Sequence, residues 1–240
     1  MAAGCLAPVA EAEALVAFAP DEDVLEALVT RREDGEPLAW LTAHARFCDR
    51  NVNVDRGVFV PRAQSEELAR RASGVLPPAG RAADLCTGSG PIAAHLLATV
   101  PGAVVVGVDV DATAAACALA NGVPALVADL DAAPLRPRCF DVVTAVAPYV
   151  PTGDLRLLPT DVQRYEPRLA LDGGDDGLSV VRRVVSAAAR LLRPAGWLLV
   201  ELGGGQDDLL APDLVAAGFG RREVWHDDDD DLRGLAAQMR

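Results

Sequence analysis

Residues 82–109 read AADLCTGSGPIAAHLLATVPGAVVVGVD, and their pattern decides the fold. AADLC is a short apolar run that stops at a glycine-bearing turn. GPIAAHLLATV has the length and apolar content of a helix, and AVVVGVD is a second apolar run rich in β-branched residues. Two buried strands joined by a helix lie in one sheet only as a parallel, right-handed crossover. The alternation continues outward. ATAAACALANG (112–122) reads as a helix, PALVAD (124–129) and FDVVTAV (140–146) as strands, GLSVVRRVVSAAARLL (177–192) as a helix and GWLLVEL (196–202) as a strand. A helix around LLAPDLVAAGF (209–219) and two strands, near REVWH (222–226) and at the C-terminal end, close the chain. This is an α/β domain: a mostly parallel sheet covered by helices on both faces.

Ahead of it the texture differs. Asp21 is placed to cap a helix carrying Val24, Leu25, Leu28 and Val29 on one face, and REDGEPLAWL (32–41) breaks that helix at Gly35 and Pro37. Short alternation between 47 and 61, with Gly57 in the middle, predicts a small hairpin, and Ser65 is placed to cap the helix SEELARRA (65–72). The expected division is a helical and β-hairpin region over 1–62 and the α/β domain over 63–240.

The 240 residues are 51% hydrophobic, enough for a large core, and the formal charge is −13. All 22 basic residues are arginines, scattered rather than clustered. That balance argues against nucleic acid or an anionic membrane as partner. Cys5, Cys48, Cys86, Cys117 and Cys139 form no C-x-x-C pair and read as reduced thiols of a cytoplasmic protein. The apolar start lacks a positive flank and carries Glu11 and Glu13, so no signal peptide is expected, and no apolar run has the length of a membrane span.

The chemistry concentrates at strand ends. In DLCTGSG (84–90) Gly88 and Gly90 let a ligand approach the backbone, and the following helix N-terminus favours an electronegative group. About 20 residues on, Asp109 ends the next strand, where a carboxylate binds both hydroxyls of a ribose. The spacing departs from the G-x-G-x-x-G of dinucleotide sites, so the loop has no pyrophosphate to cradle. A nucleoside-containing cofactor follows, the alternative being a tight turn and nothing more. Asp111 reads as a helix cap. HDDDDD (226–231) reads as a solvated loop rather than a metal site, because adjacent carboxylates do not converge on one ion; no metal is expected. His95 reads as a packed helix residue.

The acidic, then alternating-glycine turn resembles motif I of class I S-adenosylmethionine methyltransferases. That resemblance sets Asp84, Cys86, Thr87, Gly88 and Gly90 along the methionine part of the cofactor, Asp109 and Val110 at the ribose, and Asp129 and Leu130 at the adenine. Cys86 stands where the usual turn has its first glycine. The likeness extends further. GEPLAWL (35–41), GVFVPR (57–62), SEEL (65–68), EPRLALDGGDDGL (166–178) and GWLLVELGGGQ (196–206) resemble the HemK family, the protein-glutamine N-methyltransferases. It implies a seven-stranded Rossmann-like fold, a substrate-recognition role for 1–62, and methyl transfer to an amide nitrogen. The 34 residues ahead of GEPLAWL are short beside that family's N-terminal helical domain.

One departure matters most. The family reads Asn-Pro-Pro-Tyr where this chain reads Val146-Ala147-Pro148-Tyr149. The family asparagine and the next carbonyl accept hydrogen bonds from a planar NH2 group, and the tyrosine packs on it. Val146 accepts none, so the expected acceptor is a small molecule or a modified amino acid nitrogen. Ala147, Pro148 and Tyr149 form its platform and Val146 sets its selectivity. Arg62, Tyr165, Glu166 and His44 are expected near the substrate. Three alternatives stand beside this reading: the asparagine role taken by Thr144 or Thr152, a glutamine methyltransferase acting on release factors or another peptidyl acceptor, and a SAM-binding protein without catalysis.

Overall fold

The computed structural model describes residues 7–240; Cys5 and the first residues of the apolar start lie outside them. Three helices come first: α1 (Pro8–Phe18), α2 (Glu22–Glu33) and the short α3 (Leu38–Leu41). Asp21 caps α2 by accepting from the Val24 amide at 2.9 Å. Strands β1 (His44–Phe47) and β2 (Arg50–Asn53) form an antiparallel hairpin.

That hairpin lies earlier than the alternation suggests. Its turn is Cys48–Asp49, both in the left-handed region with φ of 46° and 61°, whereas Gly57 sits in a later turn. Side-chain rows in 52–60 look alike wherever the pairing falls, and this turn lacks the Asn-Gly or Asp-Gly signature that marks most two-residue hairpins. The hairpin is docked by α6 (Ala112–Ala120) of the main domain. Just past that helix, Asn121 accepts from the Asn53 amide and donates to the Asn53 carbonyl, both at 2.8 Å.

The main domain runs α4 (Glu66–Val75), β3 (Arg81–Leu85), α5 (Pro91–Thr99), β4 (Val104–Asp109), α6, β5 (Ala125–Val127), β6 (Phe140–Ala145), α7 (Thr160–Tyr165), α8 (Ser179–Leu191), β7 (Leu192–Glu201), α9 (Gln206–Ala216), β8 (Phe219–His226) and β9 (Leu232–Met239). Seven strands form one sheet in the order β5-β4-β3-β6-β7-β9-β8, parallel except for β9, which is antiparallel to both its neighbours. One apolar core packs α8 and α9 on one face, with Val184, Val185, Leu191 and Leu210 against Val143, Leu198 and Val200. The other packs α4 and α5, with Leu68, Ile92 and Leu96 against Val105, Val142 and Leu199. After β3 the chain winds outward through β4 and β5, then returns to β6 on the opposite side of β3. Crevices open at the carboxyl ends of strands where the winding direction reverses, and ligands of open α/β sheets bind there.

Ser65 does not cap α4: its hydroxyl donates instead to Glu201, far away in sequence. In the loop after β8, Asp227 accepts from the amides of Asp229 and Asp231 and pairs with Arg233. No group of three or more metal-ligating side chains occurs among the described residues. No helix among them is long and apolar enough to cross a membrane.

Candidate active site

Strand β3 delivers Asp84 to the reversal point. Its carboxylate is 1% exposed and accepts from the Thr87 hydroxyl at 2.6 Å and the Thr144 hydroxyl at 2.7 Å. Thr144 lies beside it because β3 and β6 pair in register there. Burial outweighs those hydrogen bonds and pushes the carboxyl up to about 6. The turn that follows needs positive φ at Cys86 (55°), Gly88 (58°) and Gly90 (79°). A Cβ on Gly88 would meet nothing within 4 Å, so that face is open to a ligand. One on Gly90 would sit 3.1 Å from Ala118 and Val123, so this glycine serves the close packing of α5.

Cys86 holds its left-handed conformation with a side chain present, at a cost of roughly 1–2 kcal/mol. Cys86→Gly is therefore expected to stabilise the protein by about 1 kcal/mol after the extra freedom glycine gives the unfolded chain, a rise in Tm of about 2–4 °C. A thermal melt of the two proteins checks it; a fall in Tm means the thiol's packing outweighs the strain.

Asp109 ends β4 facing that turn. Oδ2 accepts from the Gly88 amide and Oδ1 from the Asp111 amide, each at 2.9 Å. Burial raises its pKa. Each oxygen keeps a lone-pair direction for a further donor, which is the arrangement a cis-diol requires. Asp111 caps α6, accepting from the Thr113 amide at 2.7 Å.

One cleft gathers Asp84, Cys86, Thr87, Gly88, Asp109, Val110, Asp129 and Leu130, eight of the nine residues expected at the cofactor; Gly90 stands behind it. The residues fit S-adenosylmethionine: an open glycine, a helix N-terminus, a half-buried carboxylate at the next strand's end, and a buried Ser89 hydroxyl with no partner among the described residues. Arg183 on α8, which the sequence did not single out, also lines the cleft and pairs with both Asp129 and Asp131. Asp129 thus meets any ligand as one member of an ion pair.

A second cavity of about 700 Å³ adjoins the first. Phe59, Arg62, Val146 and Ala170 line both, so Val146 stands at their junction. Ala147 and Tyr149 line the second cavity, Pro148 the first. Nothing in the described chain donates to the Ala147 carbonyl. Neither threonine near Val146 stands in for an asparagine: Thr144, fully buried and donating to Asp84, and Thr152, donating to Asp172 at 2.6 Å, line neither cavity.

Tyr149 is half-buried. Its ring packs on the core, and its hydroxyl donates to Glu201 at 2.9 Å. Glu201, 2% exposed at the end of β7, also accepts from Gln64 and Ser65. A glutamate closing the apolar run LLVE was the available signal for this cluster.

The four residues expected near the substrate divide. Arg62 lines both cavities, lies 4.8 Å over the Phe59 ring and pairs with Glu166 at 2.5 Å. Glu166 is buried behind Arg62, where burial raises its pKa against the guanidinium's pull. Tyr165 lines neither cavity. Its hydroxyl donates to the Asp34 carbonyl at 3.1 Å and its ring meets Trp40 edge-on, tying α7 to the N-terminal region. His44 lines neither cavity; its Nδ1 lies 2.7 Å from the Thr42 carbonyl, within the turn that starts β1. His95 is buried on α5, and burial lowers its pKa.

Comparison with known proteins agrees with this geometry. A family model described as a methyltransferase domain matches residues 83–150. A release factor glutamine methyltransferase of Geobacter sulfurreducens is 39% identical over 80% of this chain and 69% of its own length. One from Rhodospirillum rubrum is 36% identical over 92% and 70%. A 4-amino-L-phenylalanine/4-methylamino-L-phenylalanine methyltransferase of Streptomyces pristinaespiralis is 36% identical over 74% and 65%. Among solved structures, a Thermus thermophilus 16S rRNA N2 G1207 methyltransferase in complex with AdoMet and guanosine superposes with a TM-score of 0.56 at 19% identity, over 82% of this chain and 44% of that one. An Aquifex aeolicus SAM-dependent methyltransferase gives 0.51 at 14% identity, over 72% and 89%. The sheet order, the acidic glycine turn and these identities converge: the chain is an S-adenosylmethionine-dependent methyltransferase and belongs to the release factor glutamine methyltransferase family.

Proposed function

We propose that this enzyme N-methylates a small amine borne on an apolar, amino-acid-like body, an aryl amine being the class that suits the cavity best. Val146 at the junction of the two clefts carries the reading. Residue 146 itself offers a primary amide no acceptor where the family asparagine offers one, and the loss of such an acceptor costs about 1–3 kcal/mol, or roughly 5- to 150-fold in rate. An aryl amine is uncharged at neutral pH and more nucleophilic than an amide, so it needs less polarisation to react. The cavity suits it in outline: Phe59, Val146, Ala147 and Leu171 offer an apolar interior, while Arg164 and Asp161 supply both signs of charge for a zwitterionic head. The Streptomyces pristinaespiralis relative, named for an amino-substituted phenylalanine, supports the same class.

S-adenosylmethionine supplies, when bound, a methyl group on a positively charged sulfonium. The chain's own contribution is placement. Asp109 holds the ribose, Asp84 the amino group, and the Ala147 carbonyl accepts one N–H of the amine, while Pro148 and Tyr149 wall the site and Val146 keeps it dry. Positioning of this kind accounts for a large share of the barrier lowering in bimolecular transfers. Held by Asp84, Gly88 and Asp109, S-adenosylmethionine would supply its methyl to the amine nitrogen, and the proton that nitrogen gives up would pass to solvent. In this reading 1–62 supplies the outer wall of the acceptor site, through Gly35, Phe59 and Arg62, 63–240 is the methyltransferase domain, and the enzyme works in the cytoplasm.

The second reading keeps the glutamine of a release factor as acceptor, and the names of the Geobacter and Rhodospirillum relatives favour it. Purified enzyme with methyl-labelled S-adenosylmethionine, offered 4-amino-L-phenylalanine or release factor, separates the two. Label in the amino acid supports the small-amine reading; label in release factor alone overturns it. Val146→Asn is expected to raise methylation of a glutamine peptide about tenfold, by returning one hydrogen bond. No gain on that peptide would mean that residue 146 does not set acceptor choice.

A further inference from the structure

Gln64 lines the acceptor cavity from the turn before α4, and its amide is held one way round. Nε2 donates to the Tyr149 hydroxyl and to Glu201 Oε1, both at 2.9 Å. The Tyr149 hydroxyl spends its own proton on that same Glu201 oxygen, so toward Gln64 it is an acceptor, and the Glu201 oxygen accepts from both. Turning the amide over would set a carbonyl oxygen against a carboxylate oxygen. Glu201 in turn is fixed by Ser65 and buried. The cluster therefore fixes Nε2 on the protein side and leaves Oε1 without a donor from the described chain, on a residue that forms the cavity wall.

We propose that Gln64 Oε1 performs the hydrogen-bonding role that Val146 lacks: it accepts one N–H of the incoming amine while the Ala147 carbonyl accepts the other. Glu201 and the Tyr149 hydroxyl are positioning groups that hold Gln64 in this orientation. The inference rests on the small-amine reading above and sharpens it: with Gln64 as second acceptor, an amine is preferred to an amide for its nucleophilicity and the apolar cavity, not for want of a hydrogen-bond partner. With two oxygens to fill, the preferred acceptor is a primary amine, and a monomethylated amine with one N–H forfeits one contact. The oxygen now comes from the segment ahead of α4 rather than from the strand end that carries residue 146, so a pattern search at 146–149 cannot see it.

Gln64→Leu removes the oxygen while keeping the bulk. With 4-amino-L-phenylalanine as probe, kcat/KM is expected to fall about tenfold, the effect of one hydrogen bond in a dry site, with S-adenosylmethionine affinity unchanged. With 4-methylamino-L-phenylalanine the fall should be smaller, so the preference for the primary amine shrinks; a merely structural role would lower both rates alike. Adding Val146→Asn to Gln64→Leu should recover part of the lost rate on the primary amine. Equal losses on the two amines, or no loss, overturns the role of Gln64. Wild-type turnover of a glutamine peptide and neither amine overturns the small-amine reading separately, and the Gln64→Leu to wild-type ratio on that peptide then decides Gln64 by the same tenfold criterion. No turnover of any of the three acceptors overturns both.

Discussion

Asp109→Ala is expected to weaken S-adenosylmethionine binding at least a hundredfold. A carboxylate that accepts from two ribose hydroxyls makes two charge-assisted hydrogen bonds, each worth about 1.5–3 kcal/mol, and 1.4 kcal/mol is tenfold in affinity. The substitution also releases the turn, because Asp109 is what the Gly88 and Asp111 amides donate to. Asp109→Asn separates the two effects. Its remaining carbonyl can still serve one amide, so it should hold the turn better than alanine while losing the charge, and its affinity should lie between the two. Calorimetric titration gives the dissociation constants, and a thermal melt of the unliganded proteins shows whether either variant is merely unfolded. If Asp109→Ala binds S-adenosylmethionine as tightly as the wild type, the carboxylate does not face the ribose and the assignment of this cleft fails.

Asp109 was legible because the features that place it are local. A run of β-branched residues makes β4, the strand ends where the run ends, and the glycine turn of the neighbouring strand lies beside it by the pairing of β3 with β4. The same holds for the parallel sheet as a whole, whose alternation of apolar runs and helices leaves little topological freedom. The acceptor side was less legible for a physical reason. Gln64, Ser65, Tyr149 and Glu201 meet across as many as 137 residues of sequence, and no periodicity records a hydrogen bond of that range. Tyr165 illustrates the converse. Its neighbour Glu166 reaches Arg62 at the cavity, whereas Tyr165 turns to Asp34 and Trp40, and adjacency in sequence does not tell the two directions apart. At the hairpin, Cys48 and Asp49 take a turn that sequences usually write with glycine or asparagine, so the turn was hidden behind atypical residues.

Asp84 gives the second large effect, with opposite signs on stability and binding. Its carboxyl stands at about 6 in the folded protein against 3.8 when free, because it is desolvated. The folded state therefore holds this proton more tightly than the unfolded one. The stability it contributes is complete below about pH 3.8 and is lost as pH rises through 6, an amount of about 3 kcal/mol at pH 7. Asp84→Asn removes that penalty while leaving the Thr87 and Thr144 hydroxyls a partner of the same shape. The unliganded variant should accordingly be more stable than wild type at pH 7, by up to about 3 kcal/mol, with little difference near pH 4. Binding should move the other way. An ammonium group brought beside Asp84 favours its ionised form, so wild-type binding releases a proton near pH 6. Affinity should then tighten about tenfold from pH 5 to pH 7, the change expected when one group with a pKa near 6 must ionise. Asp84→Asn should lose both that slope and roughly a hundredfold in affinity at pH 7, the order seen when one partner of a buried charge pair is removed. Titrations in two buffers of different ionisation enthalpy count the released proton directly. A variant that is more stable yet binds as well as wild type would show that the carboxylate is buried for the fold alone, and that the ammonium of the cofactor is held elsewhere.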